Sequence, residues 1–137
     1  MSHAETSFGI IPFQKREGTW WVLLVLQHAG HWSFPKGRGL PGEEPMEAAR
    51  RELKEETNLE IDHYLVTFPI TERYRFQREG EWIDKTVLLF SASVQGQVKC
   101  QEEEIEEARW VTLDRALELL SFEDAKVTLR AAIRHLD

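Results

Sequence analysis

The chain has 137 residues, 42% of them hydrophobic, which is enough for one domain over residues 1–137 and excludes a disordered or collagen-like chain. Lys and Arg number 17 against 24 Asp and Glu, a net charge of −7, so binding to long nucleic acid is not expected. A polyanion remains a feasible ligand if metal ions intervene. The longest apolar run, Trp20 to Leu26, falls short of the ~20 residues a membrane-spanning helix needs, so no membrane partner is expected. The opening residues MSHAETSFG lack a basic segment followed by an apolar one, and no secretory signal is read there. Cys100 is the one cysteine and has no internal disulfide partner, which suits a reducing cytoplasm.

Ser7 to Gln14 and Thr19 to Gln27 read as two strands joined by a short turn at Lys15-Arg16-Glu17-Gly18. The segment from His28 to Gly42 follows, with four Gly and two Pro in fifteen residues, and reads as a shaped loop. Glu44 to Thr57 reads as a helix. Pro45 suits its first position, Asn58 suits the left-handed residue after its last turn, and Met46, Ala49, Leu53 and Thr57 form a core-facing stripe. Ile61 to Phe76 and Trp82 to Val94 read as longer strands around a turn at Arg78-Glu79-Gly80-Glu81. Ala108 to Val111 reads as a short strand, and Leu113 to Leu120 and Phe122 to Leu136 as closing helices. This mixture predicts an α/β (α+β) architecture with a sheet layered between helices.

The acid is concentrated. Seven Glu lie between Glu43 and Glu60 and five between Glu102 and Glu107, together 12 of the 24 acidic side chains. On the long helix, at ~100° per residue, Glu55 and Glu56 lie at about −60° and +40° from Glu52. Like charges at this spacing oppose the helix by a few tenths of a kcal/mol per pair. A hard divalent cation such as Mg²⁺ gives such a cluster a purpose; a solvated surface patch relieved by nearby Lys and Arg is the plainer alternative.

Upstream residues favour the first reading. Gly37, five residues, Glu43, seven residues, then Arg51-Glu52-Leu53-Lys54-Glu55-Glu56-Thr57-Asn58-Leu59 resembles the Nudix box, G-x5-E-x7-R-E-U-x-E-E-x-G-U, where U is aliphatic. Only Asn58, where the family has Gly, departs from the pattern, and Asn is the next best left-handed residue. The resemblance implies a Nudix-type α/β/α sandwich with a mixed β-sheet. It also implies hydrolysis of a nucleoside diphosphate linked to another group, with water attacking phosphorus and Mg²⁺ or Mn²⁺ as cofactor. By the same resemblance Glu52, Glu55, Glu56 and the Gly37 carbonyl are metal ligands, and Glu43 with Arg51 forms a structural ion pair.

The flanks resemble the diadenosine tetraphosphate hydrolases within that family. His31-Trp32-Ser33-Phe34-Pro35-Lys36-Gly37 is similar to their H-W-x-x-P-K-G lead-in, and Lys85-Thr86-Val87 to their K-T-V segment. The likeness implies phosphate contacts for Lys36, Lys85 and His31, and a metal-binding or catalytic role for Glu104. Phe122, with Tyr74, is expected to contact the base, since stacking contributes about 1–3 kcal/mol per base. Leu89 stands where relatives commonly carry a second stacking Tyr. Glu56 is the favoured general base and Glu104 the second. The expected partner is a dinucleoside polyphosphate or another nucleotide, with asymmetric cleavage of diadenosine tetraphosphate to ATP and AMP. The alternatives are a 5′-RNA pyrophosphohydrolase or nucleoside triphosphate pyrophosphatase, and, from another class, a non-catalytic nucleotide-binding module.

Overall fold

The computed structural model describes residues 2–137. Eight strands and three helices follow in the order β1 (Ser2–Arg16), β2 (Thr19–Gln27), β3 (Trp32–Ser33), β4 (Lys36–Arg38), α1 (Pro45–Thr57), β5 (Glu60–Tyr64), β6 (Ile70–Arg78), β7 (Glu81–Gln95), β8 (Ile105–Thr112), α2 (Leu113–Leu119) and α3 (Glu123–Ile133). Two-residue turns close the β1–β2 and β6–β7 hairpins. Glu17-Gly18 and Glu79-Gly80 all take positive φ, the combination that matches strand twist in tight hairpins.

The sheet is mixed. β1 runs parallel to β7 from Ser2↔Trp82 to Phe13↔Ser93, and every other pairing is antiparallel. A parallel pair needs a long crossover, and here the crossover carries α1. β1 has two partners on its other edge: β4 along Ser7–Gly9 and β2 along Phe13–Arg16. β7 is likewise shared between β6 and β5.

Alternation along β1 sorts residues onto two faces. Ile10 joins Leu23, Phe90 and Ala92 against Ala49 and Leu53 of α1. Ile11 and Phe13 join Val22, Leu24, Val87 and Leu89 against Ala116 of α2 and Leu129 and Ala132 of α3. Helices therefore cover both faces, giving the α/β/α sandwich.

α1 begins at Pro45, and Glu47 accepts a hydrogen bond from the Glu44 N–H at 3.3 Å. It ends at Asn58, whose φ of 68° places it in the left-handed region. Beyond that end, the Lys99 and Gln101 N–H groups donate to the Thr57 and Glu56 carbonyls at 2.9 and 3.1 Å. Helix carbonyls that would otherwise lack partners are thereby satisfied, and the segment leading to Glu104 is tied to α1.

Three sequence expectations are corrected. β1 begins at Ser2 rather than Ser7. The loop from His28 to Gly42 contains β3 and β4. Ile61 to Phe76 is two strands: Tyr64 pairs with Ala92 and Ile70 with Leu89, and Pro69, which has no N–H for a ladder, lies in the break.

Candidate active site

α1 carries the acidic cluster past the edge of β4. Glu52 and Glu56 are buried, whereas Glu55 is exposed. The Arg51 guanidinium organises this end of the helix, and its five N–H donors meet five acceptors. Nε and Nη2 donate to the two Glu43 carboxylate oxygens at 2.8 and 3.1 Å. Nη1 donates to Glu52 Oε1 at 2.9 Å and Glu55 Oε2 at 3.1 Å, and Nη2 also donates to the Arg38 carbonyl at 2.9 Å. The Glu43 hydrogen bond is the largest influence holding Arg51 above its ordinary pKa, and the Arg51 bond in turn lowers Glu43.

Gly37 of β4 lies directly over Glu52, and a Cβ there would overlap the Glu52 carboxylate. The next residue back, Lys36, donates its backbone N–H to Glu56 Oε1 at 3.3 Å. Glu56 is only 2% exposed. Burial, then the neighbouring Glu52, pushes its carboxyl from 4.5 up to about 8; the Lys36 N–H opposes this and Glu104 adds to it. Glu52 is also raised, first by burial, with Arg51 opposing and Glu55 and Glu104 adding. Glu104 therefore shares the electrostatic environment of both buried carboxylates. Its loop is held by His28, whose N–H donates to the Glu104 carbonyl at 3.3 Å and whose Nε2 lies 2.6 Å from the Glu102 carbonyl.

Buried carboxylates that resist ionisation suit an added cation, and an all-oxygen donor set suits Mg²⁺ or Mn²⁺. Among the described residues no three His, Cys, Asp or Glu side chains form a ready-made cage. Arg51 Nη1 lies between Glu52 and Glu55 instead.

The expected substrate contacts fall in two groups. Lys36 pairs with Gly9, Lys85 with Glu5, and Tyr74 with Lys85, so all three belong to the α2–α3 face of the sheet. Gly9 makes room for this approach, since a Cβ there would lie 2.5 Å from the Pro35 carbonyl oxygen and 2.7 Å from Lys36 Cβ. Burial lowers the Lys36 pKa, with Glu72 and Glu56 opposing. Burial likewise lowers Lys85, with Glu5 opposing through its charge and a hydrogen bond and nearby Lys36 and Arg38 adding to the fall. Tyr74 lies 6.0 Å from the Phe76 ring, and burial raises its hydroxyl pKa. At the second location the His31 and Phe122 rings lie 4.7 Å apart between centroids with their planes tilted by 48°, both residues exposed. Ser121 supports them by accepting the Trp32 N–H at 2.8 Å and donating its own N–H to the Trp32 carbonyl at 3.2 Å. Leu89 is a core residue against α2 and α3.

Several residues near these groups were not singled out in the sequence: Glu5, Arg38, Arg78, Glu72 and His28. Glu72 is buried and accepts the Thr128 hydroxyl at 2.6 Å. The alternation Lys36-Gly37-Arg38 was a readable sign, because a strand there sends both cations to one face and Gly37 to the other. A depression of about 280 Å³ is lined by Tyr74, Lys85 and Thr86 among others. A larger one, about 600 Å³, lies at the far end of β1 beside Trp20, His63 and His135 and includes none of the expected site residues. The chemistry and the larger cavity do not coincide, and the carboxylates identify the site.

A family model described as NUDIX domain matches residues 3–131. The asymmetrical bis(5′-nucleosyl)-tetraphosphatase of Rattus norvegicus is 35% identical over 137 residues, covering 89% of this chain and 88% of that protein. The Sus scrofa protein of the same name is 30% identical with the same coverage. Among solved structures, a C. elegans Ap4A hydrolase binary complex aligns with a TM-score of 0.71 at 24% identity, covering 96% of this chain and 99% of that one. The NUDIX domain of Shewanella oneidensis NrtR, complexed with ADP ribose, aligns with a TM-score of 0.75 at 17% identity, covering 99% and 91%. These two alignments bear on the fold, whereas the family model and the relatives at 30–35% identity bear on ancestry. On that evidence the chain belongs to the NUDIX domain family.

Proposed function

We propose that this protein is a divalent-metal-dependent hydrolase of dinucleoside polyphosphates, which cuts diadenosine tetraphosphate asymmetrically into ATP and AMP in the cytoplasm. The observation that carries the chemistry is Glu56, a hidden carboxylate one helical turn from Glu52. Burial and Glu52 raise its carboxyl to about 8 in the metal-free protein, and a bound cation would favour the carboxylate form that a general base needs. The choice of substrate draws on the relatives at 30–35% identity, which are asymmetrical tetraphosphatases.

In this reading Glu52, Glu55, Glu56, Glu104 and the Gly37 carbonyl would hold Mg²⁺ or Mn²⁺, which would supply charge neutralisation for the phosphate oxygens in an in-line displacement. Glu56 takes the proton of the attacking water, with Glu104 as the second candidate. The water oxygen bonds to phosphorus, and the bridging P–O bond breaks with its electron pair on the departing phosphate. Lys36 and Lys85 hold phosphate oxygens, and burial, by lowering their pKa values, makes an anionic partner more favourable. His31 and Phe122 offer an aromatic platform for one base, and Tyr74, paired with Lys85, lies apart from them on β6. Glu43 and Arg51 keep the β4–α1 loop seated on the helix.

A substrate panel tests the proposal. Diadenosine tetraphosphate, nucleoside triphosphates and 5′-triphosphate RNA are each incubated with Mg²⁺, and products are separated by ion exchange. The expected result is preferential release of ATP and AMP in equal amounts. ADP as the sole product would remove the asymmetric mode, faster turnover of triphosphates or RNA would reassign the substrate, and binding without turnover would make the chain a nucleotide-binding module.

A further inference from the structure

On the α2–α3 face, beside Lys36, three cations meet one carboxylate. Arg78 Nη1 and Nη2 donate to Glu5 Oε2 and Oε1 at 2.7 and 3.3 Å, Arg38 Nη2 donates to Glu5 Oε2, and Lys85 Nζ lies 3.5 Å from Glu5 Oε1. The register explains the meeting: Glu5 pairs with Lys85, and Ser7, on the same face, pairs with Arg38. Arg78 arrives from the tip of the β6–β7 hairpin.

The accounting of charge and donors is uneven. Glu5 is 12% exposed and contributes one negative charge against three positive ones. The side chains of Arg38 and Arg78 are 60% and 45% exposed. Each guanidinium has five donors; Arg38 commits one nitrogen to Glu5 and Arg78 two. Glu79 also acts on Arg78, but a surplus of positive charge with unused donors still faces solvent at Arg38 and Arg78, in a chain whose net charge is −7. Glu5 orders the arginines from beneath without saturating them. Planar guanidinium groups held in this way match phosphate oxygens.

This patch adjoins the carboxylate site through a single strand. On β4, Gly37 faces Glu52, while Lys36 and Arg38 on either side face the cationic patch. We infer that Arg38 and Arg78 form an anion shelf that grips the phosphates of a polyphosphate chain lying beyond those at the α1 carboxylates, and so set the preferred number of phosphates. The inference rests on the proposed polyphosphate hydrolysis and adds chain-length selection to it. Glu5 is a positioning residue for the two arginines.

The test uses the full chain and the variants Arg38→Ala and Arg78→Ala, with Arg115→Ala, whose side chain pairs with Glu118 on α2, as the control for lost charge. KM and kcat are measured with Mg²⁺ for diadenosine triphosphate and tetraphosphate, and tripolyphosphate binding is followed by calorimetry. Loss of a charge-assisted contact predicts a KM increase of about tenfold for the tetraphosphate in each shelf variant. The triphosphate should move less than about threefold, kcat should change little, and tripolyphosphate should bind about tenfold more weakly. A role confined to bracing the hairpin would lower Tm and shift both substrates alike, and that result overturns the inference. So does unchanged tripolyphosphate binding. If the wild type turns over neither substrate but loses tripolyphosphate affinity in both variants, the shelf stands and the proposed reaction falls.

Discussion

Glu56→Gln should stabilise the metal-free protein while removing its activity. A carboxyl moved from 4.5 to about 8 by burial keeps its proton in the folded chain over a range where the unfolded chain has lost it. The folded state then binds more protons than the unfolded state, so stability is full below 4.5 and is lost as pH rises towards about 8. At about 1.4 kcal/mol per pH unit, the whole loss is roughly 5 kcal/mol. Gln mimics the protonated acid, and its amide oxygen can still accept the Lys36 N–H. The assay is urea unfolding in EDTA at about pH 5 and about pH 8.5. The two proteins should be similar at the lower pH, and the variant should be more stable by a few kcal/mol at the higher one. With Mg²⁺ present, turnover by the variant should fall by about 10²–10⁴-fold. Parallel pH dependence in the two proteins would refute the argument that burial of Glu56 sets its proton affinity.

Glu5 behaves in the opposite sense. Arg78 in particular holds its carboxyl down at about 2, so its contribution is present above 4.5 and is lost as pH falls from there towards about 2. With the arginine partners half exposed, acid sensitivity of up to about 1 kcal/mol is expected, and Glu5→Gln should flatten an acid-unfolding curve over that window. Gly37→Ala should displace the Glu52 carboxylate, a flexible side-chain end, and so weaken Mg²⁺-dependent turnover with little change in the urea unfolding curve. Leu53→Ala empties a fully buried position under the carboxylate-bearing face of α1 and should lower stability by about 2–5 kcal/mol.

What the sequence disclosed was mostly local. Pro45, the stripe through Leu53 and the left-handed Asn58 define α1 within one residue of its observed start, because capping and helical period depend on near neighbours. The box residues were readable for the same reason. The parallel pairing of β1 with β7 joins residues about 80 apart, so nothing near Glu5 announced Lys85 as its neighbour. The polar start of β1, His3 to Thr6, lacked an apolar alternation because much of it carries exposed or site-lining side chains. β3 and β4 are two and three residues long and were hidden among Gly and Pro. Glu52 and Glu55 were legible as neighbours on one arc of α1, whereas Arg51, read only as the Glu43 partner, also donates to both.

The central claim is that the buried acids of α1 act through a divalent cation. Turnover of diadenosine tetraphosphate by the wild-type protein, followed through a Mg²⁺ titration and then with excess EDTA, tests it most directly. Activity that rises to saturation with Mg²⁺ and vanishes with EDTA is the predicted result. Undiminished cleavage in EDTA would contradict the claim.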